Sequence, residues 1–441
     1  MSRLGDRARR TPLLQGLPPE VAVIAAIAFC VALGFGIVAP AIPIYAQSFG
    51  VTAFLAGAVV SVFALMRLIS SPGAGALVDR VGERNVLTTG LIIVAVSSVL
   101  AGLAQDYVQL LVLRGVGGIG SSMFTVSAMA LLLKVVTAQQ RGRAAGAFQA
   151  GFLLGGEAGP AVGGAVVALS IRAPFFFYAG TLALAALVSW RFLPAEPPGQ
   201  PVPRQATPAA AATDDGDDET TPTQPPHNSD TTAGAPDNDA HDSDPDKAPT
   251  LPQALRSPAY QAALAANLTN GFVTFGLRSS LVPLFVIEGL NADATLAGIG
   301  FLVAAATQAV LLLPAGRLAD QRGRRPALLW GAVLTLVGMA GLAVAGATWM
   351  FLVAMAVAGL AAAFMGSAPA AVAGDVVGPG GKGIVIAVYQ MTADLGAILG
   401  PLLAGLLADS LGYGPAFAVG AAVAALALLT AARMPETLRK P

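Results

Sequence analysis

Long apolar runs recur along the whole chain and are separated by short polar stretches. Because the runs are continuous and do not alternate with polar residues, they predict helices and not the strands of a membrane barrel. About 20 helical residues cross a hydrocarbon core of roughly 30 Å. Twelve runs reach that length, with approximate limits of 21–46, 52–76, 85–104, 107–133, 144–169, 173–193, 258–287, 295–315, 326–346, 350–374, 384–408 and 413–433. The pattern predicts an all-α integral membrane protein with twelve transmembrane helices.

Composition agrees with a membrane protein. Of the 441 residues, 55% are hydrophobic and 11% are charged, which excludes a water-soluble globular domain. The single cysteine, Cys30, lies in the first predicted span and has no partner for a disulfide. Both histidines, His227 and His241, fall outside the spans, so no imidazole is available as a proton relay within the membrane.

The positions of Lys and Arg predict the orientation, since basic residues favour cytoplasmic loops. With a cytoplasmic N-terminus, 21 of the 25 basic residues lie on the cytoplasmic side and Arg172 alone lies outside. The remaining three lie within spans: Arg67, Arg114 and Arg278. We therefore expect both termini in the cytoplasm of a plasma or inner membrane. No small-residue cleavage site follows the first span, so we expect this span to be retained and not removed as a signal peptide.

Residues 194–250 interrupt the apolar pattern with Pro, Ala, Thr and Asp. The segment contains 12 of the 25 acidic residues and only two basic ones, a composition that cannot bury a core. We predict a disordered, acidic cytoplasmic linker between two six-helix halves; the alternative is a regulatory or partner-binding segment. The predicted organisation is an N-terminal tail at 1–20, a first half at 21–193, the linker at 194–250, a second half at 251–433 and a C-terminal tail at 434–441.

The two halves repeat each other at an offset of 241 residues without a gap. The matched positions include scarce residue types: Asp79 with Asp320, Arg84 with Arg325, Gln149 with Gln390, and Pro160 with Pro401. This repeat predicts two pseudo-symmetric halves. Duplicated helical halves in a membrane are typical of transporters, whose substrate site lies near the midplane between the halves and opens alternately to either side.

Two matched loops carry charged motifs, GALVDRVGER at 75–84 and GRLADQRGRR at 316–325. Glycine permits close approach of two helix ends, and the charged residues can pair with each other and with helix termini. Both loops resemble the signature of the major facilitator superfamily, which implies the major facilitator fold and a role in the conformational switch. The expected gating residues are Gly75, Asp79, Arg80, Gly82, Arg84, Gly316, Asp320, Gly323, Arg324 and Arg325. Glu83 departs from the family pattern, which has a basic residue there, so we expect the first-half cluster to latch less firmly.

Three further stretches resemble the twelve-span drug:proton antiporters of that superfamily. They are LGFGIVAPAIP at 33–43, LRGVGGIG at 113–120, and GxxxGPxxGG at 155–164 with Gly146 ahead of it. The last of these resembles the family's antiporter motif, which marks exporters more than importers and here consists of Gly155, Gly159, Pro160, Gly163 and Gly164. Arg114 occupies the arginine of the fourth-helix motif, and the resemblance implies a part in proton handling.

The fifth span also has a physical reason for its composition. Glycines recur every four residues at 151, 155, 159 and 163 and predict a smooth ridge against which another helix packs closely, while Pro160 predicts a bend. At about 100° per residue, Glu157 points about 200° from Gly155, away from the ridge. An ionisable group in hydrocarbon costs several kcal/mol unless it is paired or wet. Glu157 is therefore either a proton-coupling or substrate-binding carboxylate or a structural partner of an intramembrane arginine.

Asp394, in the eleventh span, is the only other acidic residue deep in a span, and the same two alternatives apply to it. Neither acid recurs at the offset of 241, so both break the symmetry of the scaffold and are candidates for chemistry. Arg67 and Arg278 are each either a buried ion-pair partner or a ligand for an anionic group. The sequence leaves open whether Arg67 pairs with Glu157 or with Asp394.

Two glycine-rich stretches are not expected to bind nucleotides. GVGGIG at 115–120 lies within a span and follows no strand, and GPGGKG at 378–383 has Gly383 where a phosphate-binding loop needs Ser or Thr. No catalytic or metal-spaced cluster occurs in or beside the spans, so we expect no enzyme, no cofactor and no metal site. The expected partners are the lipid bilayer, a small-molecule substrate and protons, with no nucleic acid and no evident obligate protein partner.

Together these features predict a proton-coupled antiporter that exports small amphipathic compounds by alternating access, as in multidrug efflux. Two alternatives stay open. One is a dedicated transporter of a single metabolite, for instance an anionic one, because three intramembrane arginines outnumber two acids. The other is a non-transporting membrane sensor that signals through its acidic linker.

Overall fold

The structure, a computed structural model, describes residues 16–137, 140–194, 250–377 and 383–438. Within these ranges the chain is helical and forms no strand. The helices α1 to α12 follow the predicted spans: Pro19–Gln47, Ala53–Val81, Glu83–Gly102, Tyr107–Val135, Arg141–Leu169, Ala173–Phe192, Pro258–Gly289, Ala294–Gln321, Arg324–Ala343, Thr348–Val377, Gly383–Leu411 and Tyr413–Arg433. A short helix, Leu251–Arg256, precedes α7. Nearly all of the predicted linker, most of the predicted N-terminal tail and the last three residues of the C-terminal tail fall outside the described residues.

Eleven of the described helices are long and apolar enough to cross a membrane. The remaining one, α5, has 29 residues and therefore spans about 43 Å, more than the thickness of a hydrocarbon core. Large apolar side chains such as Ile69, Val112 and Val310 are exposed, as expected of helices that lie in lipid. The predicted all-α, twelve-helix membrane architecture is confirmed.

The helices end on two faces of the bundle. We call one the linker face, because α6 ends and α7 begins there, and the opposite one the far face. On the linker face, Arg84 donates to the carbonyl of Trp190, which ties the start of α3 to the end of α6. Glycine permits the tight turns on this face, since Gly82 and Gly323 have φ angles of 88° and 128°.

Helix α7 departs from regular α geometry in two places. Gly271–Arg278 and Phe285–Gly289 are π-helical. Pro283 lies between them and lacks the N–H that a regular helix would use. Wide turns of this kind are frequent at functional sites, which makes α7 a candidate for the substrate pathway.

The two halves are related as the repeat predicts. Gln47 and Glu288 occupy equivalent positions at the offset of 241, and they meet across the far face with 2.7 Å between Nε2 and Oε1. Two equivalent residues touch only if they lie beside the axis that relates the halves. This contact therefore locates the pseudo-two-fold axis at the far face.

The glycine ridge of α5 packs against α1, as the sequence predicts. A Cβ atom built at Gly155 would lie 2.3 Å from the carbonyl oxygen of Phe29, and one at Gly159 would lie 2.5 Å from the Cα of Gly36. Helix α11 repeats the arrangement against α7, where a Cβ at Gly396 would lie 2.3 Å from the carbonyl oxygen of Leu268. The backbones are so close that neither ridge admits a side chain without movement of the helix.

Gly155→Ala should therefore destabilise the protein by about 1–3 kcal/mol, as overpacked sites do. Gly156→Ala is the matched control, since a Cβ at Gly156 would meet no atom within 4 Å and alanine favours the helix. Thermal unfolding in detergent, followed by circular dichroism, measures both. We expect a lower midpoint for Gly155→Ala alone; equal midpoints would contradict the packed ridge.

Candidate functional site

A charged pair joins the two halves at the middle of α2. The Arg67 guanidinium donates to Oδ1 of Asp394 on α11. The two side chains are 31% and 21% exposed, so the pair borders open space and is not sealed in packed protein. Arg67, whose partner the sequence left open, therefore pairs with Asp394.

From this pair to the far face, α2 and α11 form a close seam. The Ser61 hydroxyl donates to the carbonyl oxygen of Ile398 at 2.7 Å. One helical turn further, a Cβ at Gly57 would lie 2.5 Å from the carbonyl oxygen of Pro401. We call this contact between α2 and α11 the far-face seam, and it holds the halves together on that side of the ion pair.

Arg114 is buried against an aromatic ring in the first half. Its side chain is 3% exposed, and its guanidinium carbon lies 4.4 Å from the centroid of the Phe63 ring. Phe35 packs on both Phe63 and Tyr178, with centroid separations of 6.1 Å and 6.4 Å. The Nε of Arg114 has no hydrogen-bond partner among the described residues. The Phe63 ring stabilises the cation, and the guanidinium keeps one unused donor at Nε.

Arg278 lies at the end of the first π-helical segment of α7 and is 6% exposed. It lines a pocket between α7, α9 and α10. Polar groups on the wall include Asn270, Thr274 and Thr335, and Met339 contributes apolar surface. The pocket has room for no more than about one water molecule, so it would admit a larger ligand only after the helices around it move apart. Its cationic group and hydroxyls are of the kind that binds an anionic group.

Glu157 lies in α5 between two glycines that pack on α1, Gly155 and Gly159. The side chain of Glu157 falls outside the described part of the structure, as do Pro160 and Gly164 beyond their place in the helix. The roles predicted for these three residues stay predictions.

The predicted gating loop of the second half is fixed by ion pairs and hydrogen bonds. Arg324 donates to Asp320 and, from Nε at 3.3 Å, to Asp375 on α10. Arg325 donates to the carbonyl of Ala432 at 2.7 Å and so ties the start of α9 to the end of α12. Both predicted arginines of this loop are therefore engaged within their own half.

Glu436, just beyond α12, accepts hydrogen bonds from the same loop. Its carboxylate receives the backbone N–H of Arg324 at 2.7 Å and that of Arg325 at 3.2 Å. Burial by itself raises the pKa of Glu436, but backbone N–H donors, including those of Leu438 and Thr437, outweigh burial and lower this pKa. The carboxylate thus stays charged and caps the first turn of α9.

The first-half loop has the corresponding ion pair with its charges reversed. Glu83 and Lys134 occupy the positions equivalent to Arg324 and Asp375, and Oε1 and Nζ lie 3.4 Å apart. The departure of Glu83 from the family pattern is therefore matched by a basic residue on α4. The weaker latch that we expected from Glu83 stays a prediction.

Three residues of these contacts were not predicted from the sequence: Lys134, Asp375 and Glu436. The offset of 241 relates Lys134 to Asp375, and the reversal of sign at these two positions, together with Glu83, was a signal for a paired contact. Glu436 gave no such signal, because its partners are backbone N–H groups.

Other predicted gating residues lie at the surface of the linker face. Asp79 and Arg80 are exposed at the end of α2. A Cβ at Gly75 or Gly316 would meet no atom within 4 Å. The close approach of helix ends that we expected at these two glycines is therefore not made in this structure, in which α2 meets the other half through the far-face seam.

Comparison with known proteins agrees with this architecture. The sequence model of the Major Facilitator Superfamily matches residues 24–279 and 263–441. The Quinolone resistance protein NorA of Staphylococcus aureus is 32% identical over 164 residues, 36% of this chain and 41% of that protein. Multidrug resistance protein 1 of Bacillus subtilis is 33% identical over 161 residues, with the same shares. The matched stretch thus spans less than half the length of these relatives.

Solved structures share the fold at low sequence identity. A bacterial homologue of the human lysosomal transporter Spinster, inward-facing and occupied, has a TM-score of 0.65 at 18% identity and covers 95% of this chain and 96% of its own. The human organic anion transporter MFSD10 has a TM-score of 0.62 at 17% identity, with 94% and 100% covered. The family match extends over both halves, and the predicted family is confirmed: this chain belongs to the Major Facilitator Superfamily.

Proposed function

We propose that this transporter exports small amphipathic compounds in exchange for protons. The names of the quinolone and multidrug resistance relatives support the substrate class. The observation that carries the coupling is the ion pair between Arg67 and Asp394, which links the halves where alternating access must separate them. Such transport makes and breaks no bond in the substrate, so we expect no enzymatic activity.

Protonation of Asp394 supplies a direct route from proton binding to movement. It removes the negative charge and with it most of the attraction to Arg67. Because the pair spans α2 and α11, its loss loosens the seam between the halves, and release of the proton restores it. A proton then binds the two states with different affinity, which is the requirement for coupling.

Glu157 is the proposed position at which the proton and the outgoing substrate exclude each other. It lies in the antiporter motif. A carboxylate in the membrane interior costs several kcal/mol, so its presence there indicates a role in transport. Arg114 is the proposed electrostatic partner of the proton-carrying groups. Its buried guanidinium and unused Nε donor support that role.

The proposed orientation places the linker face in the cytoplasm of the cell membrane. The distribution of basic residues supports it. The far face is then the outer side, and its closed seam leaves the cytoplasmic side as the one from which an exporter loads substrate. In this orientation both termini and the acidic linker are cytoplasmic, and the linker acts as a tether between the halves.

A dedicated transporter of one anionic metabolite is the second candidate. The residue types around Arg278 favour it, because a guanidinium and neighbouring polar side chains are the groups that bind a carboxylate or phosphate once the helices around them move apart to admit it. A transporter of lipophilic cations would not need the positive charge of Arg278 in the wall of this pocket, because like charges repel.

Transport by purified protein in liposomes separates the two candidates. Uptake of a fluorescent lipophilic cation and of a set of organic anions would be followed with and without an imposed proton gradient. We expect gradient-driven movement of the cation, up to about 50-fold accumulation per proton for a driving force of 100 mV. Movement of anions alone would favour the second candidate, and gradient-independent movement would exclude proton coupling.

A further inference from the structure

The two halves cap the first turns of their equivalent helices α2 and α8 in different ways. Helix α8 follows Asp293, whose carboxylate accepts the N–H of Thr295 at 2.8 Å within the same half. The equivalent residue before α2 is Thr52, whose hydroxyl accepts from the N–H of Leu55 at 3.4 Å, a long distance for a hydrogen bond. Helix α8 is thus capped from its own sequence, and α2 is capped only weakly.

The first turn of α2 receives its cap from the opposite half. Asp409, near the end of α11, accepts the N–H of Ala53 at 2.9 Å and that of Phe54 at 2.8 Å, one on each carboxylate oxygen. A single side chain therefore satisfies two of the four N–H groups that a helix start leaves open, and it places negative charge at the positive end of the dipole.

Close packing makes this contact possible. A Cβ at Gly405, one turn before Asp409 on α11, would lie 2.6 Å from the Cα of Phe54. The position equivalent to Asp409 in the first half is Ala168, a residue without an acceptor in its side chain. Helix α8 is thus capped by a residue of its own half, whereas α2 is capped by a residue of the opposite half.

We propose that Asp409 caps α2 only while the far face is closed, and so acts as a one-sided latch of the far-face seam. When the halves separate there, Asp409 leaves with α11, whereas Asp293 stays with α8. Only an interaction that differs between two states shifts the balance between them. The cap from Asp409 therefore favours the closed far face, and the cap from Asp293 favours neither state.

The test measures how often the seam opens. In a Cys30→Ser background, Ser61→Cys places a thiol in the seam, where Ser61 is 3% exposed. Its modification by a small water-soluble maleimide requires opening, so the rate follows the open population even when that population is low. Asp409→Ala should raise the rate about 2- to 30-fold, the range that loss of a helix cap produces. Asp293→Ala, the matched control, should leave the rate unchanged.

A second variant distinguishes a latch from general loosening. Thr52→Asp gives α2 a cap from its own half, as Asp293 does for α8, so adding Asp409→Ala to it should have little further effect on the rate. If Asp409→Ala raises the rate equally with and without Thr52→Asp, the latch is wrong. An unchanged rate in Asp409→Ala alone would overturn it as well, provided that all variants unfold well above the labelling temperature. The proposal depends on alternating access and not on proton coupling, so failure of proton-driven transport would leave it standing.

Discussion

Asp394→Asn is expected to abolish accumulation of substrate against a gradient while substrate still equilibrates across the membrane. Asparagine has nearly the shape of the protonated acid and cannot release a proton, so the link to Arg67 stays weak throughout the cycle. In the wild type, proton coupling supplies about 2.3 kcal/mol per proton for each 100 mV, which corresponds to about 50-fold accumulation of substrate. In Asp394→Asn this accumulation should fall to none. Liposome uptake with an imposed proton gradient measures the loss, and substrate counterflow without a gradient measures what remains.

The control for this variant separates coupling from folding. Asp394→Asn alone leaves Arg67 without its anion and so lowers the free energy of unfolding. Breaking a fully buried pair costs about 3–5 kcal/mol, and we expect a smaller loss here because both side chains are partly exposed. Combining it with Arg67→Gln removes the unpaired charge. The double variant should regain thermal stability and still fail to accumulate substrate. If it accumulates substrate as the wild type does, the pair is structural and the coupling proposal is wrong.

The apolar runs and the internal repeat were sufficient to predict the fold from the sequence. A continuous apolar run of 20 residues has one stable form in a bilayer, because every backbone polar group must be paired within the segment. The repeat at 241 residues predicted two equivalent halves, and contacts in the structure agree with it. Gln47 and Glu288 meet at the axis of the halves, and the glycines of α5 and α11 pack on α1 and α7 in the same register.

Pairing of charges could be predicted only in part. From the sequence, the partner of Arg67 was either Glu157 or Asp394. The structure selects Asp394, because the glycines of α2 and α11 let these two helices cross closely. The partners of Glu436 and Asp409 are backbone N–H groups, and these leave no trace in residue identity. The irregular turns in α7 were not predicted either. Pro283 marks a break in the regular hydrogen-bond pattern, but the residue types do not specify that π-helical segments lie on both sides of it.

Glu157→Gln is expected to remove the pH dependence of substrate binding together with active efflux. If one carboxylate accepts either a proton or the outgoing compound, substrate affinity in wild type should fall as the pH falls, because protons compete for the site. Glutamine keeps the size of the side chain and cannot be protonated, so affinity should no longer change with pH. Accumulation driven by a proton gradient should fall to none, from the same about 50-fold per proton at 100 mV.

Binding of a fluorescent lipophilic cation to detergent-solubilised protein, measured across a pH series, tests this directly. Glu20→Gln is the matched control, since it neutralises an acid in the first turn of α1 on the linker face and should preserve the wild-type pH dependence. If Glu157→Gln folds and exports like the wild type, and its substrate affinity changes with pH as in the wild type, Glu157 has no part in the mechanism. Proton coupling would then depend on Asp394, because no other acidic residue lies deep in a predicted span.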